Sequence, residues 1–154
     1  MKNTQRKRPR FGDVIEISTR RGLAYAQYTH RHIEPPRYGA LIRVLPGLYS
    51  SRPQEFSALV KDREQFLVFF PLGAACNRGL VKIVAHESIP EHARPFPLFR
   101  ADSSMTDCWL WDGHREWRIG ELTETQRDLP IRKGVNDTML IHMIETSWSA
   151  RNQA

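Results

Sequence analysis

FLVFFPLGAACNRGLVKIV, residues 66–84, is the stretch whose reading decides the fold. Its first five residues are aromatic or aliphatic without a polar interruption. No side of such a run can face water, so the sequence predicts a strand from Phe66 to Phe70 placed mid-sheet with both faces covered. Pro71-Leu72-Gly73 breaks the run, a passage of small residues follows through Cys76, Asn77 and Gly79, and Leu80 to Val84 reads as a second buried strand. The whole is too short and too broken to span a membrane.

Upstream of this core, Val14-Ile15-Glu16-Ile17-Ser18 and Leu23 to His30 alternate about the turn Thr19-Arg20-Arg21-Gly22 as two antiparallel strands. Pro35-Pro36 enforces a loop, and Tyr38 to Leu45 gives a third strand that ends at Pro46-Gly47. Pro53 with Phe56, Leu59 and Val60 at helical spacing predicts the main helix, running to about Arg63. Downstream, Pro90, Pro95 and Pro97 mark a looping crossover. Cys108-Trp109-Leu110-Trp111, Asp112-Gly113-His114-Arg115 and Glu116-Trp117-Arg118-Ile119-Gly120 then form strand, turn and strand, the clearest hairpin in the chain. Thr123 and Gln126 have capping-box spacing, and Asn136-Asp137-Thr138 is placed to cap a last helix from Met139 to Ser147, although its apolar run fits a strand equally well. The fold class expected is α+β: a strongly bent antiparallel sheet or small SH3-like barrel with one main helix and a possible C-terminal helix.

One domain is expected from 154 residues, 40% of them hydrophobic and 26% charged. Residues 11–148 form it, between a disordered basic tail at 1–10 and a short disordered tail at 149–154. No apolar segment follows the basic N-terminus, so a cytoplasmic protein is expected. The net charge of +6 is unevenly placed: residues 1–52 carry 11 basic and 3 acidic side chains, residues 53–154 carry 12 basic and 14 acidic. Between Asp102 and Asp128 the chain is locally acidic, with seven carboxylates against three arginines.

Candidate chemistry is sparse. His86-Glu87 and Glu91-His92 lack the spacing of a zinc motif, and Pro90 prevents a shared helical face. His30 and His32 share one side of a strand but supply only two ligands. Cys76 has no identifiable base, and Cys76 with Cys108 makes no metal or redox motif. No cofactor or metal is expected. A nucleic-acid surface is the alternative reading, carried by Arg20, Arg21, Tyr25 and Arg43, since interleaved arginine and tyrosine suit phosphates and unpaired bases. Against it stands the acidic hairpin, where Asp107, Asp112 and Glu116 surround Trp111 and Trp117 as an apolar anchor with a charged rim.

The start Phe11-Gly12-Asp13-Val14-Ile15-Glu16-Ile17, the return strand Gly22-Leu23-Ala24-Tyr25-Ala26, the strand Tyr38 to Val44 and the Phe70-Pro71-Leu72-Gly73 core together resemble the bacterial immunity protein 26 family, over about residues 11–100. The resemblance implies a non-enzymatic protein that binds a cognate polymorphic toxin and protects the cell that makes it. It carries no active-site residues across. The alternative is a small-barrel RNA-binding protein or ribonuclease-like toxin.

Overall fold

A computed structural model describes residues 8–153. The fold is α+β, with two sheets and two helices: β1 Asp13–Thr19, β2 Gly22–His32, β3 Gly39–Val44, β4 Phe66–Phe69, α1 Leu72–Asn77, β5 Lys82–His86, β6 Phe99–Arg100, β7 Cys108–Trp111, β8 Glu116–Gly120 and α2 Asp137–Glu145. The first sheet is antiparallel in the order β4-β3-β2-β1-β5 and the second in the order β6-β7-β8. β4 and β5 stand at opposite edges, so the large sheet is open and not the closed barrel that was one of the two expectations. No described helix is long and apolar enough to cross a membrane.

Alternation along the strands gives the large sheet two different faces. One carries Ile15, Ile17, Ala24, Ala26, Ile42, Val44 and Val68, and packs against Leu72, Ala75 and Cys76 of α1 and Leu140, Met143 and Ile144 of α2. The other is split. Val14, Tyr25 and Leu45 pack with Phe56 and Val60 at one end, while Leu41, Leu67 and Phe69 pack with Phe99 and Trp111 of the second sheet at the other. Gln27 and Arg43, side by side in the register, are fully buried between these two apolar clusters.

Segment 130–135 stitches the sheets together. Arg100 N donates to Pro130 O and Arg132 N to Arg100 O, after which Phe69 N donates to Lys133 O and Val135 N to Phe69 O. This explains one difference from the sequence reading: β4 is an edge strand, not a central one, yet all four of its residues are buried because residues 133–135 cover its outer edge and both faces are packed. The passage after Pro71 is helix α1, stopped at Gly79, whose φ of +72° lets Leu80 N reach Ala75 O and Gly79 N reach Cys76 O. The second strand begins later than expected, at Lys82, and lies half-exposed at the far edge on β1.

The main helix foreseen over 53–63 is absent. Phe56 and Val60 are buried as the periodicity requires, but the segment is an irregular arm with a single 3-10 turn, Leu59–Lys61. The carbonyls of Val60 and Asp62 accept from the Arg43 guanidinium, which fixes the arm's backbone in that irregular path. At the C-terminal end the helix alternative holds: α2 starts at Asn136, whose Oδ1 accepts from Met139 N at 2.8 Å. Asn136→Ala should destabilise the fold by about 1 kcal/mol, read as a lower urea midpoint with an unchanged m-value. Residues 149–153 are not a loose tail. Ala150 is buried, Arg151 pairs with Glu124 and Asp128, and the carbonyls of Ala150 and Gln153 accept from the buried Arg100. Of the expected N-terminal tail, residues 1–7 lie outside the described residues.

Candidate functional site

The acidic hairpin, β7 and β8, carries Trp111, Asp112, Glu116 and Trp117 and packs its turn against the main sheet. Its turn has Gly113 at the first central position with φ +100°, and a Cβ there would sit 2.9 Å from the Phe96 ring, so glycine is required on both counts. Asp112 Oδ1 accepts from the backbone of His114 and Arg115, both at 2.9 Å, and these bonds hold the Asp112 carboxyl below its usual range as a fixed negative charge at the tip. His114 Nδ1 reaches Glu34 at 2.8 Å, tying the tip to the Pro35-Pro36 loop. His32 donates through Nε2 to Gly113 O at 2.8 Å and its Nδ1 faces Tyr38 N at 3.4 Å, which anchors the turn to β2.

Register decides which tryptophans are available. Trp109 faces Arg118, Leu110 faces Trp117 and Trp111 faces Glu116, so Trp109 and Trp111 lie on one face of the ribbon and Trp117 on the other. Trp111 is only 5% exposed, packed among His32, Tyr38, Phe69, Phe96 and Phe99, with Arg132 over its ring at 5.0 Å. It is an internal brace and not the partner contact the sequence suggested. Trp109, two residues along β7 from Trp111, is 41% exposed, and Trp117 is 37% exposed. Period-two spacing groups the indoles but does not reveal where the ribbon leaves the core. Among the expected acids, Asp107 pairs with Arg118 at 2.5 Å and Glu116 with Arg132 at 2.8 Å, so the rim is a lattice of exposed ion pairs more than a bare negative patch.

The alternative set does not form one surface. Arg20 and Arg21 are exposed in the β1–β2 turn, tied to Glu145 through Arg20 N and Arg21 Nη1. Tyr25 is 1% exposed, packed edge-on to Tyr49 and Phe56, and Arg43 is wholly buried. Neither of these two can meet a base or phosphate. The candidate metal ligands are also dispersed: His86 Nδ1 donates to the buried Asp13, His92 lies beside Glu64, His30 bonds Thr29 and Arg94 O, and His32 holds the hairpin. No group of three potential ligands gathers among the described residues. Cys76 packs in the core from α1, and burial raises the Cys108 thiol pKa.

Gln27 and Glu64 form a feature the sequence did not disclose. Arg43 Nε and Nη2 donate to Gln27 Oε1 at 3.0 and 2.8 Å, Nη2 also to Val60 O, and Nη1 to Asp62 O and Glu64 Oε1 at 3.1 and 3.2 Å. Burial lowers the Arg43 pKa and the Glu64 carboxylate opposes that shift. His92 Nε2 lies 3.4 Å from the same Glu64 oxygen, at the wall of a cleft of about 500 Å3 between the large sheet and the loops at 92–98 and 125–130. All five guanidinium donors are taken by internal acceptors, so Arg43 fixes Glu64 and the 53–63 arm and has none left for a ligand. Only an apolar-strand arginine opposite a glutamine hinted at the pair. Comparison with known proteins yields no matching family model, no matching curated relative and no matching solved structure.

Proposed function

We propose that this chain is a non-enzymatic immunity protein that binds and neutralises a toxin domain through the outer hairpin of its three-stranded sheet. The observation that carries the reading is Trp109: an indole 41% exposed on a ribbon whose turn end, at Trp111, is locked into the core. A rigidly mounted, exposed tryptophan loses little side-chain freedom on binding and buries a large area, the profile of an interface anchor. Asp112 at the tip, ionised and immobilised by its turn, adds a charge suited to a basic partner surface. The resemblance of residues 11–100 to immunity proteins supplies the class of partner, a cognate toxin. The nucleic-acid alternative keeps Arg20 and Arg21 but loses Tyr25 and Arg43 to the interior.

The test compares Trp109→Ala and Asp112→Lys with Arg20→Glu/Arg21→Glu. Each is assayed for protection of cells producing a toxin domain encoded beside this chain, for binding to that domain, and for binding to single-stranded RNA. Trp109→Ala is expected to weaken toxin binding by about 2 kcal/mol, some thirtyfold, mainly through faster dissociation. Asp112→Lys should slow association and flatten its salt dependence. An arginine pair that abolishes a salt-sensitive RNA association while the hairpin variants change nothing would replace this reading with the nucleic-acid one.

A further inference from the structure

β8 ends the three-stranded sheet, and no described strand or bridge pairs with its outer edge. By contrast, residues 131–135 close the edges of β4 and β6. Open edges in natural proteins are blunted by proline, lysine or a bulge on the strand; β8 reads Glu-Trp-Arg-Ile-Gly, and the extra residue of the ribbon's register shift, Ile119, falls after Arg118, so the edge from Glu116 to Arg118 is regular. Asp112 N donates to Arg115 O, so hydrogen-bonded pairs along the ribbon fall at 112/115 and 110/117. The N–H and C=O of Glu116 and Arg118 therefore point outward, and Glu116, Trp117 and Arg118 are all exposed.

We propose that this edge pairs antiparallel with the β8 edge of a second copy of the chain, about a two-fold axis at Trp117, joining two three-stranded sheets into one of six strands. Two-fold antiparallel registers that use the outward groups are few. Centring on Glu116 sets Glu116 against Glu116, and centring on Arg118 sets Arg118 against Arg118, both like-charge pairs. Centring on Trp117 sets Glu116 of each copy against Arg118 of the other, in hydrogen-bonded positions, and brings the two indoles together in the closer non-hydrogen-bonded position. The strand is complementary to itself in that register. Arg118 and Glu116 already hold Asp107 and Arg132; the first pair is exposed and of small worth, and in the second the largely buried Arg132 bonds the half-exposed Glu116 through Oε1. A two-fold pairing closes on itself, so a dimer forms and not a fibre. The ribbon face that carries Trp109 stays open.

Sedimentation of the purified chain alone tests this, so its failure and that of the toxin reading are separable. A five-residue edge lies in the weak class of interfaces, so the expected dissociation constant is on the order of 10 to 100 μM. Glu116→Arg and Arg118→Glu should each remain monomeric across that range while keeping a native circular dichroism spectrum. Mixed in equal amounts they should form a heterodimer, and the double variant Glu116→Arg/Arg118→Glu should recover the homodimer. Under mild oxidation Trp117→Cys should cross-link to itself, because directly opposed non-hydrogen-bonded residues have Cα atoms about 4.5 Å apart, whereas Glu116→Cys should not. A wild-type chain monomeric to about 1 mM, a dimer that survives both single reversals, or a mixture that stays monomeric would each overturn the proposal.

Discussion

Phe69→Ala should lower the free energy of unfolding by about 3 to 5 kcal/mol, measured as a shift in the urea transition. Phe69 is 1% exposed and its ring stacks on Phe99 at 5.4 Å, with Tyr38 at 5.2 Å and Trp111 at 6.1 Å. These neighbours come from two strands of the second sheet and from the loop before β3, so truncation leaves a void that no single element can collapse into. The same residue's N–H and C=O hold Lys133 and Val135, which fixes the backbone on either side of that void. A second readout follows from the packing: the near-ultraviolet circular dichroism of Trp111 should weaken, since its ring loses a partner that orders it. A variant within about 1 kcal/mol of wild type would show that the second sheet is held by segment 130–135 and not by the aromatic contact.

Phe69 also shows what a sequence can and cannot disclose. Continuous apolar character in residues 66–70 announces burial on both faces, and burial is what the structure has. It cannot separate a central strand from an edge strand whose rim is covered by residues more than 60 positions later, because that cover is made by backbone groups of Lys133 and Val135 that leave no side-chain signature. The hairpin was legible from its turn residues and tryptophan spacing, and the helix cap at Asn136 from local hydrogen-bonding chemistry. Failure came where distant chain decides local form. The 53–63 arm has helical periodicity, yet its carbonyls are taken by an arginine from β3. Trp109 and Trp111 are equivalent in the ribbon's alternation, and only the position of the second sheet against the first makes one a brace and leaves the other exposed. Composition placed Arg43 and Tyr25 on a basic surface; pairing with Gln27 and packing against Phe56 drew them inside.

Arg43→Met should cost about 3 to 5 kcal/mol, because it withdraws the guanidinium bonded to the buried Gln27 amide while leaving the acceptors behind. Gln27 Oε1, Val60 O and Asp62 O would lose their guanidinium donors, and Glu64 would keep a carboxylate beside His92 alone. Arg43→Lys should lose most of the same stability: a single ammonium cannot span acceptors on β2 and on both sides of the arm as the planar fork does. The distinguishing measurement is the combination Arg43→Met/Gln27→Leu/Glu64→Gln. If the loss comes from stranded side-chain groups, removing Gln27 Oε1 and the Glu64 carboxylate with the cation should restore part of the stability, while Val60 O and Asp62 O stay without the guanidinium and Glu87 O loses the Gln27 Nε2 donor. The triple variant then departs strongly from the sum of its parts, as contacting residues do. Continued instability in the triple variant would mean that the arginine acts chiefly as a tether for the arm, and limited proteolysis should then cut between Glu55 and Arg63 in both Arg43→Met and the triple variant while Phe56 and Val60 remain unchanged in sequence.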